Sequence, residues 1–540
     1  MKKWLKFFTG VFAFVLFVTN VSFVSVFAQD NVLKVQLDVE VASLDPSIAT
    51  DGHSMDVINT LYEGLMTRDE AGNVLPGMAE SYEVNQDETV YTFKIRDNAN
   101  WSNGEPVTAQ DFVFSWHRLS LPETASEYSF MLETAGIKNA SQVLAGEMKA
   151  EELGIKALDD KTLEVTLERA TPYFLSLLTF TTFHPINQAF YEEIGDQFAT
   201  APDKLLSNGP FLLTNYAPAA TTIDVQKNPD YYAAGDIKLD GIQFQVIKDS
   251  QQAVLAYQTG QLDVAKLTGE QVALYTADPE LNTISQGYLW YLSPNEDNEA
   301  LANKEFRLAL SKAFDRDSLT GNVLKDGSAS ATYFIPRGLL SNEDGVDYRD
   351  VAGEGLMASN VEEAQAHYEK AKEELGADKF EIGLLVEDTE ASINIAQSLE
   401  AQIEANLPGI DLQIEQTPKK NRLQRMVEGD YDLGLTRWGP DYADPTTYFQ
   451  LLLSDSNYNY QKYSNSEFDQ AYDDIMIGDL VTDVDKRWEK MIEMEKWLMD
   501  DAAIFPVYQA TSALLIKSNV EGIRFYTVGG PHIYNYVVKQ

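Results

Sequence analysis

The sequence predicts a mixed α/β fold, because short segments with strand periodicity alternate along the chain with helical segments. A hydrophobic content of 44% is typical of a globular protein rather than a disordered one. At 540 residues the chain is too long for one hydrophobic core, so we expect two or three lobes of roughly 100 to 250 residues each.

Residues 1–28 predict a signal peptide. Lysines lie near the start, an apolar run begins at Phe7, and residues 26–28 offer small side chains for cleavage, so the mature chain is expected to begin at Gln29. The alternative is an uncleaved anchor, since the apolar run has about the length that spans a bilayer. Polar residues within the run favour cleavage.

Five segments show the alternation of a half-buried strand. The first, residues 32–41, repeats apolar residues at every second position from Leu33 to Val41 and stops before Pro46, which cannot continue a ladder. The other four are residues 90–95, 162–168, 242–247 and 410–414. Helical patterns lie between these strands.

The clearest helix begins after Asn360, whose side chain can cap it, and ends at Gly376. A second helix is predicted over residues 487–499.

One arrangement occurs twice: a helix, a glycine stop, and a strand opened by an aspartate. It is found at Gly260 and Asp263, and again at Gly429 and Asp432. Two lobes are expected to use it to direct a strand towards a shared cleft.

Composition excludes several kinds of chemistry. The formal net charge of −43 disfavours nucleic acid and anionic lipid as partners. The chain has no cysteine, which excludes disulfides and a lipid attached to an N-terminal cysteine, and its five histidines are scattered. Serine-hydrolase, nucleotide-binding and zinc motifs are missing. We therefore expect no cofactor and no metal.

The stretch "RWGPDYADPTTYF", residues 437–449, holds two aspartates among aromatic residues. Asp441 and Asp444 have the chemistry of an acid and base pair for glycoside hydrolysis. However, Asp444 precedes a proline, and an Asp-Pro step typically starts a turn or helix, with the carboxylate capping local N–H groups. Asp444 is therefore interpreted as structural, while Asp441 has no such local role.

Several motifs, in order, resemble a known family. They include "LYEGLM" at 61–66, "WSNGEPVTAQDF" at 101–112, "SNGPF" at 207–211, "KNPDYY" at 227–232 and "YSNSEFD" at 463–469. The chain is similar over nearly its whole mature length to the extracellular solute-binding proteins of ABC importers for oligopeptides, dipeptides and nickel, and most to the oligopeptide-binding branch.

This resemblance implies a three-lobed fold of the periplasmic binding protein type. Lobe one would comprise residues 29–55, 204–290 and 511–540, lobe two residues 56–203, and lobe three residues 291–510. The ligand would lie in a cleft between lobes one and three.

The resemblance also implies the binding residues. Asp441 matches the acid that pairs with a peptide's α-ammonium, and Trp438 the neighbouring indole. The main chain of Glu40, Val41, Ala42 and of residues 437–439, including Gly439, would bind the peptide backbone. For Arg437 the alternative is an ion pair at the surface or between lobes. Tyr508 is expected to line the cleft.

The implied function is a non-enzymatic receptor, exported to the cell surface or periplasm, that delivers peptides to the permease subunits of an ABC transporter. A monomer is expected, without nucleic acid. Two alternatives stay open: an acidic secreted hydrolase, either a glycosidase or a peptidase, and a peptide-pheromone signalling receptor of the same fold.

Overall fold

The computed structural model describes residues 31–69, 72–342, 345–481, 483–528 and 532–540. The predicted signal peptide lies outside these residues. The mixed α/β fold is confirmed. In the described part of the chain, no helix has both the length and the apolar character needed to span a bilayer.

An eleven-stranded mixed sheet dominates the fold. Its central path runs, in spatial order, through Ile410–Thr417, Phe380–Glu387, Leu433–Trp438, Leu281–Pro294, Phe505–Ile516, Val264–Leu267, Val32–Leu37, Gly241–Val246, Thr222–Lys227 and Phe211–Asn215. The short strand Ala329–Ser330 pairs with Phe505–Ile516 beside this path.

Two long strands, Leu281–Pro294 and Phe505–Ile516, join the halves of this sheet. They pair antiparallel, and the register is interrupted between Ser285 and Leu289. Such an irregularity bends a ladder locally. The side chain of Gln509 fills this position, since its Nε2 donates to Ser285 Oγ at 2.7 Å and to the carbonyl of Gln286 at 2.8 Å.

A separate antiparallel sheet lies within residues 56–203. Its four strands, in spatial order, are Ala79–Val84, Val90–Ile95, Thr162–Thr166 and Ile155–Asp159. The helices of nine or more residues in the described chain are Gly52–Leu61, Ala109–Ser120, Ser250–Gln258, Lys304–Lys312, Val361–Leu375, Glu390–Asn406, Lys419–Glu428, Ser466–Met476 and Val484–Asp500.

The repeated arrangement of helix, glycine and aspartate-led strand is confirmed in both places, and the aspartates have the same role in each. Asp263 accepts a hydrogen bond at 2.8 Å from the main-chain N–H of Lys34. Asp432 accepts one at 2.9 Å from the N–H of Gly383. Each carboxylate thus binds the backbone of a neighbouring strand and fixes where its own strand enters the sheet.

The predicted Asn360 cap is confirmed: its side chain accepts from the N–H of Glu363, and the helix ends at Gly376 in the left-handed conformation. The first strand is shorter than predicted. It ends at Leu37, because Asp38 bonds to Lys266 Nζ at 2.8 Å and to His53, and Val39 is 48% exposed rather than buried.

Candidate functional site

The strand Leu433–Trp438, third along the path of the large sheet, carries the beginning of the candidate ligand motif. It pairs with Leu281–Pro294 along its whole length, but with Phe380–Glu387 only at Leu433 and Gly434. From residue 435 onwards one edge therefore has no strand neighbour among the described residues. An open edge presents main-chain N–H and C=O groups to an incoming extended chain.

Asp441 follows this strand and lies among aromatic rings. Burial is the largest cause of raised pKa values for four tyrosine hydroxyls, and the charge of Asp441 raises each of them further. These residues are Tyr128, Tyr288, Tyr448 and Tyr458. Thr447 Oγ1 holds the segment in place by accepting from the Asp441 N–H at 3.2 Å and from Trp438 Nε1 at 3.4 Å.

The Asp441 carboxyl has no positive charge to balance it in the described part of the chain. It forms no ion pair or side-chain hydrogen bond there, and burial alone raises its pKa from the ordinary value of 3.8 to about 7. A carboxylate whose charge is opposed by burial is stabilised when a cation enters beside it. A cation that approached this carboxyl would therefore be stabilised by it.

Asp444, three residues away, has the structural role predicted for it. Its side chain is buried and accepts from the main-chain N–H of Thr446 at 3.0 Å. Both of its oxygens also bind the Arg487 guanidinium, at 2.7 and 3.0 Å. The two aspartates therefore differ: Asp444 is neutralised within the protein, and Asp441 is not.

Gly439 lies between the strand and Asp441, where a side chain would not fit. A Cβ placed there would collide with the ring of Tyr288. The glycine therefore lets Tyr288 lie directly on the main chain beside Asp441. The hydroxyl of Tyr448 donates to the carbonyl of Gly287 and so holds the strand next to Tyr288, where the register is interrupted.

Trp438 and Arg437 occupy different surroundings. The Trp438 ring meets Tyr458 edge-on at 5.3 Å between centroids and is half-buried. Arg437 lies over the Trp290 ring at 4.6 Å and forms an ion pair with Glu387 at 3.0 Å. Both partners of that pair lie within residues 291–510, the range expected for lobe three.

The remaining predicted residues lie on strands of the same sheet or just beyond one. Within the described residues, the main chain of Glu40 and Val41 makes no hydrogen bond to another segment, whereas the Ala42 N–H donates to Ser54 Oγ at 3.1 Å. Glu40 forms an ion pair with Lys248 at 2.6 Å. Tyr508 is buried and stacks on Trp290, with ring centroids 5.5 Å apart.

The sequence interpretation did not include the four tyrosines around Asp441. Tyr128 and Tyr288 are far from Asp441 in the chain, so no local pattern connects them. The only sequence signal is the density of aromatic residues in "GYLWY", 287–291, and "YNYQKY", 458–463.

Comparison with known proteins identifies the family. The family model described as bacterial extracellular solute-binding proteins, family 5 Middle, matches residues 73–460. The chain belongs to this family. It is 32% identical over 499 residues to the periplasmic oligopeptide-binding protein OppA of Salmonella typhimurium, covering 89% of this chain and 88% of that protein.

Solved structures agree with this assignment. Listeria monocytogenes OppA bound to peptide has a TM-score of 0.76 and 34% sequence identity, covering 95% of this chain and 99% of that one. The peptide-binding pheromone receptor PrgZ also has a TM-score of 0.76, with 31% identity over 95% of this chain and 100% of its own. The family resemblance predicted from the motifs is therefore confirmed.

Proposed function

We propose that this chain is the receptor component of an ABC importer, which captures peptides outside the cytoplasmic membrane and delivers them to permease subunits. The observation that carries the proposal is the uncompensated Asp441 carboxyl among tyrosines. Placing an ammonium in a closed cleft costs several kcal/mol unless an opposite charge meets it. A single fixed carboxylate therefore selects for a peptide with a free amino terminus.

The peptide backbone would be bound generically. The open edge after residue 435 and the unbonded main chain of Glu40 and Val41 support strand addition between lobes one and three. Side chains of an extended ligand alternate in direction, so they enter different pockets and discriminate little. The receptor acts as a monomer, without nucleic acid, and closes by movement of its lobes.

A signalling role is the second candidate, favoured by the likeness to the pheromone receptor PrgZ. A signalling receptor would share the peptide site, but peptide binding would trigger a cellular response instead of uptake. A hydrolase is the less favoured alternative, because the chain belongs to a family of solute-binding proteins and Asp444 is paired with Arg487.

Incubation of the purified protein with a labelled peptide mixture tests the proposal. Mass spectrometry should recover intact peptides at about one equivalent per chain from the wild type and none from the Asp441→Asn variant. Peptide fragments would indicate a hydrolase. If deletion of the gene abolishes a response to peptide but leaves peptide uptake unchanged, the signalling role is correct instead.

A further inference from the structure

A pair of stacked tyrosines joins two parts of the chain that the family resemblance places in different lobes. Tyr173 lies within residues 56–203, the range expected for lobe two. Tyr442 lies within residues 291–510, the range expected for lobe three. The two ring centroids are 4.1 Å apart, the ring planes differ by 17°, and both side chains are buried. Stacked rings that are removed from water stabilise the contact between the segments that carry them.

Tyr173 is held in lobe two by the residue that follows it. Phe174 begins the short helix Phe174–Leu177, is fully buried, and packs against Tyr91 with ring centroids 4.7 Å apart. Tyr91 belongs to the strand Val90–Ile95 of the four-stranded sheet. The position of Tyr173 is therefore fixed by the core of lobe two, and its ring reaches lobe three from a well-packed base.

Tyr442 follows Asp441 directly in the chain and is tied to the segment around it. The hydroxyls of Tyr442 and Thr446 form a hydrogen bond of 3.2 Å, and Thr446 Oγ1 donates to Asp444 at 2.7 Å. On the other side, Thr447 Oγ1 accepts from the Asp441 N–H at 3.2 Å. A ring packed on Tyr442 therefore restrains the backbone next to Asp441, and with it the direction of the carboxyl.

A cavity of about 620 Å³ lies beside the stacked pair, between the two lobes. Its walls include Tyr173 and Ser176 of lobe two, Asp444 and Arg487 of lobe three, and residues 525–528. A space of this size makes the two rings a local contact rather than part of a continuous core. Such a contact can form and separate when lobes move as bodies about a hinge.

Lobe two also approaches Asp441 through a second tyrosine. Burial is the largest cause of the raised pKa of the Tyr128 hydroxyl, and the charge of Asp441 raises that pKa further. The Tyr128 ring meets Phe180 edge-on, with centroids 5.1 Å apart, and Phe180 comes shortly after the helix that Tyr173 precedes. Tyr128 and Tyr173 therefore belong to one packed unit and reach the segment around Asp441 together.

We infer that Tyr173 is a positioning residue for peptide binding: its ring closes on Tyr442 when peptide is bound and keeps the Asp441 carboxyl directed at the ligand. Lobe two thereby acts as a third wall of the site, in addition to lobes one and three. The inference rests on the proposed peptide-binding function. Because the contact forms after the peptide has entered, it slows peptide release more than peptide entry.

Dissociation of a tetraalanine labelled at its C-terminus, followed by stopped-flow fluorescence, tests the inference. Tyr173→Ser should release this peptide at least about tenfold faster than the wild type, with an association rate within about twofold of it. Tyr173→Phe keeps the ring and should release peptide at the wild-type rate. Tyr82→Ser is the matched control, since Tyr82 is an exposed tyrosine of the same lobe and should leave the release rate unchanged. If the serine variant does not fold, Tyr173→Leu keeps an apolar side chain, lacks the stacked ring, and should also release peptide faster.

A distance measurement tests whether the contact forms in response to peptide. The chain has no cysteine, so Val84→Cys in lobe two and Ile477→Cys in lobe three, both at exposed positions, can carry the only two spin labels. Unlabelled tetraalanine should shift and narrow the distribution of label distances when Tyr173 is present. It should have little effect on this distribution in the Tyr173→Ser background.

Equal release rates of wild type and Tyr173→Ser, or label distances that tetraalanine leaves unchanged, overturn the inference. A lower midpoint of thermal unfolding of unliganded Tyr173→Ser, together with an unchanged release rate, shows that the stacked pair only stabilises the fold and also overturns it. If free tetraalanine still binds more tightly than N-acetylated tetraalanine in these cases, the proposed function stands and only the role of Tyr173 is wrong.

Discussion

Replacing Asp441 by asparagine should stabilise the unliganded protein above neutral pH and abolish peptide binding. Burial raises the pKa of this carboxyl in the folded state to about 7 from an ordinary value of 3.8. An acid whose pKa is raised by folding destabilises the folded state as pH rises from the unfolded pKa towards the folded one. Asparagine has nearly the same shape and carries no charge, so it removes that cost.

The size of the effect is set by the pKa. Each pKa unit corresponds to about 1.4 kcal/mol, so a shift from 3.8 to about 7 would cost the folded state about 4 kcal/mol if the carboxyl were fully buried. The side chain is only half-buried, and solvent screening reduces the effect to about 2 kcal/mol. The cost is complete above about pH 7, smaller at pH 5, and vanishes below about pH 4. Asp441→Asn should therefore raise the free energy of unfolding by about 2 kcal/mol at pH 8 and by less than about 1 kcal/mol at pH 5.

Urea unfolding measured by circular dichroism, at pH 8 and pH 5, gives this difference. Asp444→Asn is the matched control, because it leaves the buried Arg487 without its carboxylate and should destabilise the protein by about 3 kcal/mol. If Asp441→Asn is less stable than wild type at pH 8, or if its effect does not change with pH, the carboxyl is not held in an unfavourable environment and the reasoning fails.

Three further changes test other parts of the site and fold. Gly439→Ala should lower peptide affinity at least about tenfold, because the added methyl group forces the ring of Tyr288 to move. Gly235→Ala is the control and should have no effect, since its methyl group would meet open space. Equal calorimetric affinities of Gly439→Ala and the wild type would contradict this prediction. Peptide affinity should fall about tenfold per pH unit below about pH 6, because protonation of Asp441 competes with binding of the peptide's ammonium group. A peptide affinity that stays constant from pH 8 to pH 5 would contradict this prediction. Glu495→Ala should destabilise the protein by about 3 to 5 kcal/mol, because the fully buried Arg349 then loses its ion-pair partner. An unchanged midpoint of thermal unfolding would show that the ion pair does not contribute to stability.

Local rules were sufficient for many elements of the fold. The cap at Asn360 and the stop at Gly376 depend on residues within one helix, so their types alone predicted the boundaries. The first strand was predicted too long because its end depends on distant residues. Lys266 and His53 bind the Asp38 side chain directly after the strand ends, and alternation in the sequence carries no information about these contacts.

The candidate site was predictable in part. Asp441 was identified from the family resemblance, and the different role of Asp444 from the proline after it. The surroundings of Asp441 were not predictable, because Tyr128 and Tyr288 reach it from other parts of the chain. Glu387, the partner of Arg437, was also not predictable, because the two residues lie 50 positions apart in the chain.

The central claim is that the Asp441 carboxylate binds the amino terminus of a peptide. The most direct test is a calorimetric comparison of one peptide with its N-acetylated form, in the wild-type protein and in Asp441→Asn. We expect the wild type to bind the free peptide at least about a hundredfold more tightly than the acetylated peptide, because acetylation removes one partner of a buried charge pair. The Asp441→Asn variant should bind the two peptides with similar affinity. Equal affinity of the wild type for both forms would contradict the claim.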